Sequence, residues 1–133
     1  TALLHTLDLL CAGQLRPEPQ DAALATYAHK LSKSEARIDW TQPAVQIDRT
    51  IRAFDAYPVA FTLYEGQPLR LFASCVVEGS GIPGQVIAAS KQGIDVTTAE
   101  GAVRILSLQL PGGKRLTAEQ FLNGRSLLGV QFE

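Results

Sequence analysis

The sequence predicts a mainly β, α+β fold: a small barrel of five to six strands with flanking helices, preceded by a helix and an extended linker. Three observations carry that expectation. Short runs rich in Val, Ile and Leu follow Tyr57-Pro58 and are cut at close intervals by glycine and proline. Before that point the apolar residues recur at helical spacing instead. The chain has 133 residues, 46% of them hydrophobic, which is enough for one compact core.

Each element can be justified in order. In residues 1–12, Leu3, Leu4, Leu7 and Leu10 fall on one helical face and Gly13 follows as a C-terminal cap. A helix of about three turns is below the length at which isolated helices become stable, so this one needs a packing partner. Residues 14–21 (QLRPEPQD) have the composition of an extended connector, and residues 22–34 leave helix and extended chain both open. A helix is expected over 42–54, with Thr41 as cap, Pro43 in its first turn, and Ile47, Ile51 and Phe54 as the buried stripe. Arg49 and Arg52 then point to solvent on one side.

Strands are expected at 59–64, 69–77, 85–89, 94–98 and 102–110. Five closely spaced strands make a partly or fully closed OB-like barrel the natural architecture. Thr117 caps a last short helix, 118–123, that Gly124 ends. The division expected is 1–13 as a terminal helix, 14–37 as linker and 38–133 as the barrel domain.

Several chemistries find no support. Gly79-Ser80-Gly81-Ile82-Pro83-Gly84 fits a dinucleotide-loop pattern, but Gln85-Val86-Ile87 continues as strand rather than opening a helix, so a plain hairpin connection is expected. The only histidines, His5 and His29, lie outside the barrel and offer no base to a nucleophile, and with Cys11 and Cys75 they form no local metal-ligand pair. The cysteines read as buried free thiols in a reducing cytoplasm. Trp40, Tyr57 and Phe61 could stack bases, but core packing is the favoured reading because they sit beside apolar runs. Asp48, Asp55, Glu35 and Asp39 read as solvated charges or partners of neighbouring arginines. No run of about 18 apolar residues calls for a membrane span.

Net charge is −1, so composition by itself does not suggest a nucleic-acid partner. Placement is more suggestive: Lys30, Lys33 and Arg37 group together, as do Arg49 and Arg52, then Lys114 and Arg115, with Arg125 beyond. Cations at exposed turns are suited to phosphate backbones.

The string Lys30-Leu31-Ser32-Lys33-Ser34-Glu35-Ala36-Arg37-Ile38-Asp39-Trp40 resembles one found in bacterial methionyl-tRNA formyltransferases just before their C-terminal domain. The likeness extends through Ile51-Arg52-Ala53-Phe54, Pro83-Gly84-x-Val86, Gly93-Ile94-x-Val96 and the segment from Gln109 to Arg115.

That resemblance implies an OB-like domain that helps hold initiator Met-tRNA, while a Rossmann-like N-terminal domain binds 10-formyltetrahydrofolate and carries an Asn, His and Asp catalytic set. The one asparagine here is Asn123, and no Asn-x-His occurs, so this chain is expected to be non-catalytic and to bind no cofactor or metal itself. Residues 1–13 would be the last helix of the preceding catalytic domain, beginning at Thr1 as an excised portion. Its Leu3, Leu7 and Leu10 face would be available for self-association in that domain's absence. Lys30, Lys33, Arg37, Arg49, Arg52, Lys114, Arg115 and Arg125 are the expected tRNA contacts. The alternative is the equivalent structural module of another folate-dependent formyltransferase or hydrolase, acting on a sugar nucleotide or on formyltetrahydrofolate.

Overall fold

The computed structural model describes residues 1–55 and 57–133, which divide into two compact units, Thr1–Lys30 and Leu31–Glu133. In the first, the leucine spacing produces helix α1 (Ala2–Cys11). Gly13 ends it at φ +67°, where the Gly13 N–H donates to the Leu10 carbonyl and the Gln14 N–H to the Leu9 carbonyl. This paired closure requires a left-handed residue, which glycine supplies without strain. No residue of α1 is buried. Beyond it, the connector resolves the open choice largely in favour of extended chain, with one 3₁₀ turn at Ala22–Leu24 whose Ala23 N–H donates to the Asp21 carboxylate.

The second unit begins with a 3₁₀ turn, Lys33–Ala36, held by a reciprocal cap between Ser32 and Glu35. Helix α2 (Ala44–Ala53) follows and buries Ala44, Ile47 and Ile51. Then come β1 (Phe61–Tyr64), β2 (Gln67–Val77), β3 (Val86–Ser90), β4 (Gly93–Thr97), β5 (Ala102–Gln109), β6 (Leu116–Thr117) and helix α3 (Ala118–Leu122). The five expected strands are present, shifted by at most two residues at either end. The two-residue β6 extends along β5 through Ser107↔Thr117 and Leu108↔Leu116.

The sheet is antiparallel, in the order β1-β2-β5-β4-β3. Glu65 and Gly66, both at positive φ, make the tight β1–β2 turn, a conformation whose twist matches that of the strands it joins. As a strand ladder the sheet is open, with β1 and β3 at its edges. The C-terminal segment 129–133 closes the gap. Leu63 and Glu133 exchange backbone hydrogen bonds at 2.9 and 3.1 Å on the β1 side, while Val86 donates to Val130 and Phe132 to Gly84 on the β3 side. The barrel-like domain is therefore completed by residues too few and too irregular to read as a strand.

Inside lies one core, built from Ile47 and Ile51 of α2, Leu69, Leu71, Ile94, Val96, Val103, Ile105 and Leu108 of the sheet, Phe121 of α3, and Trp40, Leu127 and Phe132. Phe121 is fully buried, worth about 1.5–3 kcal/mol by area alone. The Trp40 indole N–H donates to the Thr62 hydroxyl at 2.9 Å, and that hydroxyl donates onward to the Glu133 carbonyl. A buried indole is thus satisfied while the tail is pinned to β1. Gly84 makes room for this closure: a Cβ there would stand 2.6 Å from the Phe132 carbonyl.

Four expectations are corrected. Thr41 does not cap α2; its hydroxyl donates to Asp39 Oδ1 at 2.6 Å, Pro43 occupies the cap position, and the Ala44 N–H finds the Glu100 carbonyl instead. The glycine-rich loop after β2 is not a hairpin, because β5 and β4 stand between β2 and β3. Its Ile82 carbonyl accepts from the Thr97 hydroxyl and its Gly84 N–H donates to the Thr97 carbonyl, so the loop crosses the barrel end and is anchored on β4. Cys75 is exposed rather than buried, because two register shifts in β2, at Leu71/Ala73 and Ala73/Ser74, break the alternation of faces. Cys11 is likewise exposed, as a residue of a helix that buries none. No helix among the described residues is long and apolar enough to cross a membrane.

Candidate nucleic-acid interface

The expected stripe on α2 is built by alternation of faces. With Ile47 and Ile51 inward, Arg49 and Arg52, three residues apart, are both exposed. Arg52 Nε donates to Asp48 Oδ2 at 2.9 Å, and Asp48 Oδ1 accepts from the Ser74 hydroxyl of β2 at 2.8 Å. The helix is thereby fastened to the outer face of β2, and Arg52 is held in one place.

Arg115 is brought to the same side by a different route. After the turn through Gly112 and Gly113, its Nε donates to the Ser107 hydroxyl at 3.0 Å and its guanidinium lies 4.4 Å from the Phe72 ring centroid on β2. Its Nη1 is 3.6 Å from Asp55 Oδ1, just past the end of α2. Lys114 stands next to it, exposed. The acidic residues Asp48 and Asp55 therefore act as the arginine partners the sequence suggested, holding two cations in register along β2.

Further along the same strand Arg70 emerges between the buried Leu69 and Leu71, directly across the β1–β2 register from Phe61. Arg70 was not among the expected site residues. Its signal was present in the alternation Leu69-Arg70-Leu71, which sends the middle residue outward. Arg70 and Lys33 border a groove of about 420 Å³ with Tyr57, Pro58, Val59, Phe61 and Pro68. Arg49, Arg52, Arg115, Arg70 and Lys33 thus follow α2, the outer side of β2 and the start of β1 as one basic band.

The remaining expected residues lie apart from this band. Arg37 borders recesses beside Asp39, one with Glu133 and one with Glu35. Arg125 lies 5.0 Å from the Phe121 ring centroid and shares its recess with Lys91 and Glu119. Lys30 closes the other compact unit and is exposed there. Arg104, on β5, is committed to Asp95, with Nε–Oδ1 and Nη2–Oδ2 distances of 2.7 and 2.8 Å. That fork raises the Arg104 pKa still further, through the hydrogen bond and the charge of Asp95. Gly93 permits the arrangement, since a Cβ there would be 2.3 Å from Arg104 Cγ.

The aromatics divide. Trp40 is a core residue, as expected, at 5% exposure, and Phe61 is half-buried. Tyr57 overturns the core reading at 65% exposure, because it belongs to the turn between α2 and β1 and not to the inner face of either. His5 and His29 both fall in Thr1–Lys30, and His29 contacts Tyr27 edge-on at 4.6 Å. Among the described residues no group of three or more His, Cys, Asp or Glu is placed to hold a metal. The Asp39 carboxyl is held below its ordinary range by hydrogen bonds from the Thr41 hydroxyl, Gln42 and the Thr41 backbone, which is a structural use of the group.

Residues 30–126 match the family model described as the formyl transferase C-terminal domain. The chain is 49% identical over 124 residues to a methionyl-tRNA formyltransferase of Stutzerimonas stutzeri, and 46% identical over 124 residues to one of Pseudomonas fluorescens. Those matches cover 93% of this chain, which spans about two fifths (40% and 39%) of the length of these relatives. Among solved structures, a multiply substituted variant of HypX from Aquifex aeolicus is similar at TM-score 0.71 and 26% identity, over 92% of this chain and 22% of that one. HypX in complex with tetrahydrofolic acid is similar at TM-score 0.69, over 90% of this chain and 22% of that one.

Proposed function

The chain belongs to the formyl transferase C-terminal domain family, and from that premise we propose that it is the non-catalytic, tRNA-positioning module of a methionyl-tRNA formyltransferase. The observation that carries this reading is the basic band of Arg49, Arg52, Arg70, Arg115 and Lys33, with Lys114 beside it, on a domain with no histidine. Two of its arginines are pre-set by Asp48 and Asp55, so they meet a phosphate with less loss of side-chain freedom. Such contacts orient an RNA without reading its sequence, and A-form helices offer a protein mainly shape and backbone. The catalytic step, using 10-formyltetrahydrofolate as formyl donor and initiator Met-tRNA as acceptor, belongs in this reading to a preceding domain. Helix α1, with its unburied leucine face, would be the last helix of that domain. Lys30, Arg37 and Arg125, outside the band, would be secondary contacts. The site of action would be the cytoplasm, where translation supplies the acceptor.

The test is a titration of the chain with initiator and elongator tRNA at two salt concentrations, beside a variant reversed in charge at Arg49, Arg52, Lys114 and Arg115. The expected outcome is salt-sensitive binding, similar for both tRNAs and lost in the variant. A variant that binds as the parent does, or a folded parent that binds neither tRNA, would remove the band from the mechanism.

The likeness to HypX favours one second reading, in which the module is chiefly structural in another folate-dependent enzyme. Assay of the full-length protein with charged tRNA against a sugar nucleotide separates the two, and formylation of the sugar nucleotide alone would establish the second.

A further inference from the structure

We propose that the groove beside Tyr57 is a binding site for an unpaired nucleotide of RNA, with the base stacked against Tyr57 and Phe61 and its phosphate held between Lys33 and Arg70. The proposal rests on the reading of the domain as an RNA-binding module and adds to it a single-stranded element that the phosphate-tracking band does not require.

Four features of the groove argue for that occupant. Tyr57 is 65% exposed, so most of an apolar ring stands in water rather than in the core. Phe61 offers a second, half-buried ring, and Pro58, Val59 and Pro68 add an apolar floor with no hydrogen-bonding side chain. The rim carries two cations, Lys33 and Arg70, neither of them in an ion pair among the described residues, and the lining includes no carboxylate. By contrast, the recesses at Arg37 and Arg125 each include Asp39, Glu35, Glu133 or Glu119, so their cations meet negative neighbours. Charge complementarity therefore selects an anion, and two aromatic rings in the lining favour a planar one.

The volume is also suitable. About 420 Å³ accommodates one nucleotide comfortably, and pockets of roughly 300–1,000 Å³ are typical of small-molecule sites. Phe61 and Arg70 are opposite one another in the β1–β2 register, which fixes a stacking surface and a phosphate-binding head a single cross-strand spacing apart. A duplex cannot use the rings, because its bases are already stacked and its major groove is closed to side chains.

The experiment measures binding of fluorescein-labelled hexauridylate and of a blunt-ended RNA duplex to the 133-residue chain, to Tyr57→Ala and to Tyr57→Phe. Thermal unfolding monitored in parallel checks that each variant keeps the parent fold. The expected result is that Tyr57→Ala binds hexauridylate about 5- to 150-fold more weakly, the range for losing one base–aromatic stack, while Tyr57→Phe binds as the parent does. Duplex binding is expected to be unchanged in both. Equal hexauridylate binding by parent and Tyr57→Ala would overturn the stacking site while leaving the basic band standing. Duplex binding without any hexauridylate binding would do the same. Failure of the folded parent to bind either RNA would remove both the site and the tRNA-positioning role, leaving the groove as a docking surface for protein.

Discussion

Thr62 carries more of the structure than its size suggests. Its hydroxyl, fully buried, receives the Trp40 indole and donates to the carbonyl of Glu133. Thr62→Val keeps the shape but leaves the buried Trp40 indole N–H without a bond, while the Glu133 carbonyl keeps the one from the Leu63 N–H. A loss of about 1–3 kcal/mol in urea unfolding is expected, the cost of an unsatisfied buried polar group. A Thr62→Val chain as stable as its parent would show that water reaches the site. Asp39 acts at the surface through its ionised form, accepting from the Thr41 hydroxyl and backbone and from Gln42. Its folded pKa is depressed below 3.8, so its contribution is present above the unfolded value and is lost as pH falls through the folded one. Asp39→Ala should therefore lower stability near neutral pH and show a shallower loss on acidification than the parent, read as unfolding midpoint against pH.

At the scale of elements, the segment 129–133 does the work of a missing strand. It is joined to β1 at Leu63, to β3 at Val86 and to Gly84 just ahead of β3, and Phe132 enters the core beside Trp40 and Tyr64 at ring separations of 6.1 and 5.9 Å. Phe132→Ala is expected to cost about 3–5 kcal/mol by the usual penalty for truncating a buried aromatic. Because the backbone closure depends on that anchor, amide exchange should speed up at Leu63 and Val86 well before it does in the central strand β5. Uniform destabilisation, with Leu63 no faster than Ile105, would mean that the tail only fills volume and does not close the barrel. Helix α3 shows the opposite case, an element set locally: Thr117 caps its start as expected, and Gln120 reaches back to make the cap reciprocal.

For the molecule as a whole, a net charge of −1 makes local placement decisive. Lys33, Arg49, Arg70 and Lys114 form no ion pairs among the described residues, whereas Arg52, Arg104 and Arg115 each have a carboxylate at hand. If about four phosphates are neutralised, the slope of log affinity against log salt is roughly −3. Raising salt from about 50 to 200 mM should then weaken tRNA binding on the order of 50- to 150-fold. A slope near zero would place the recognition in apolar contacts and not in the band. The unit Thr1–Lys30 has its own logic: Leu3, Leu4, Leu7 and Leu10 are 70%, 62%, 45% and 57% exposed, an apolar face on a helix of ten residues.

Much of this was determined by sequence alone, because the forces involved are short-ranged. Alternation of Leu69, Arg70 and Leu71 fixes which way a strand faces, the spacing of Ile47 and Ile51 fixes the buried side of α2, and Gly13, Gly66 and Gly124 end or turn their elements by backbone freedom. The same string of residues from Lys30 to Trp40 was enough to assign the family. What only the tertiary structure decided depends on contacts between residues far apart in the chain. The order of the strands, the closure by 129–133, the partnership of Trp40 with Thr62 and the exposure of Tyr57 and Cys75 were not readable from local pattern. So was the gathering of Lys33 and Arg70 around one groove and the separation of Arg37 and Arg125 from the band. The physical reason is that periodicity specifies a residue's face on its own element, whereas its neighbours are set by which elements the barrel's closure brings side by side.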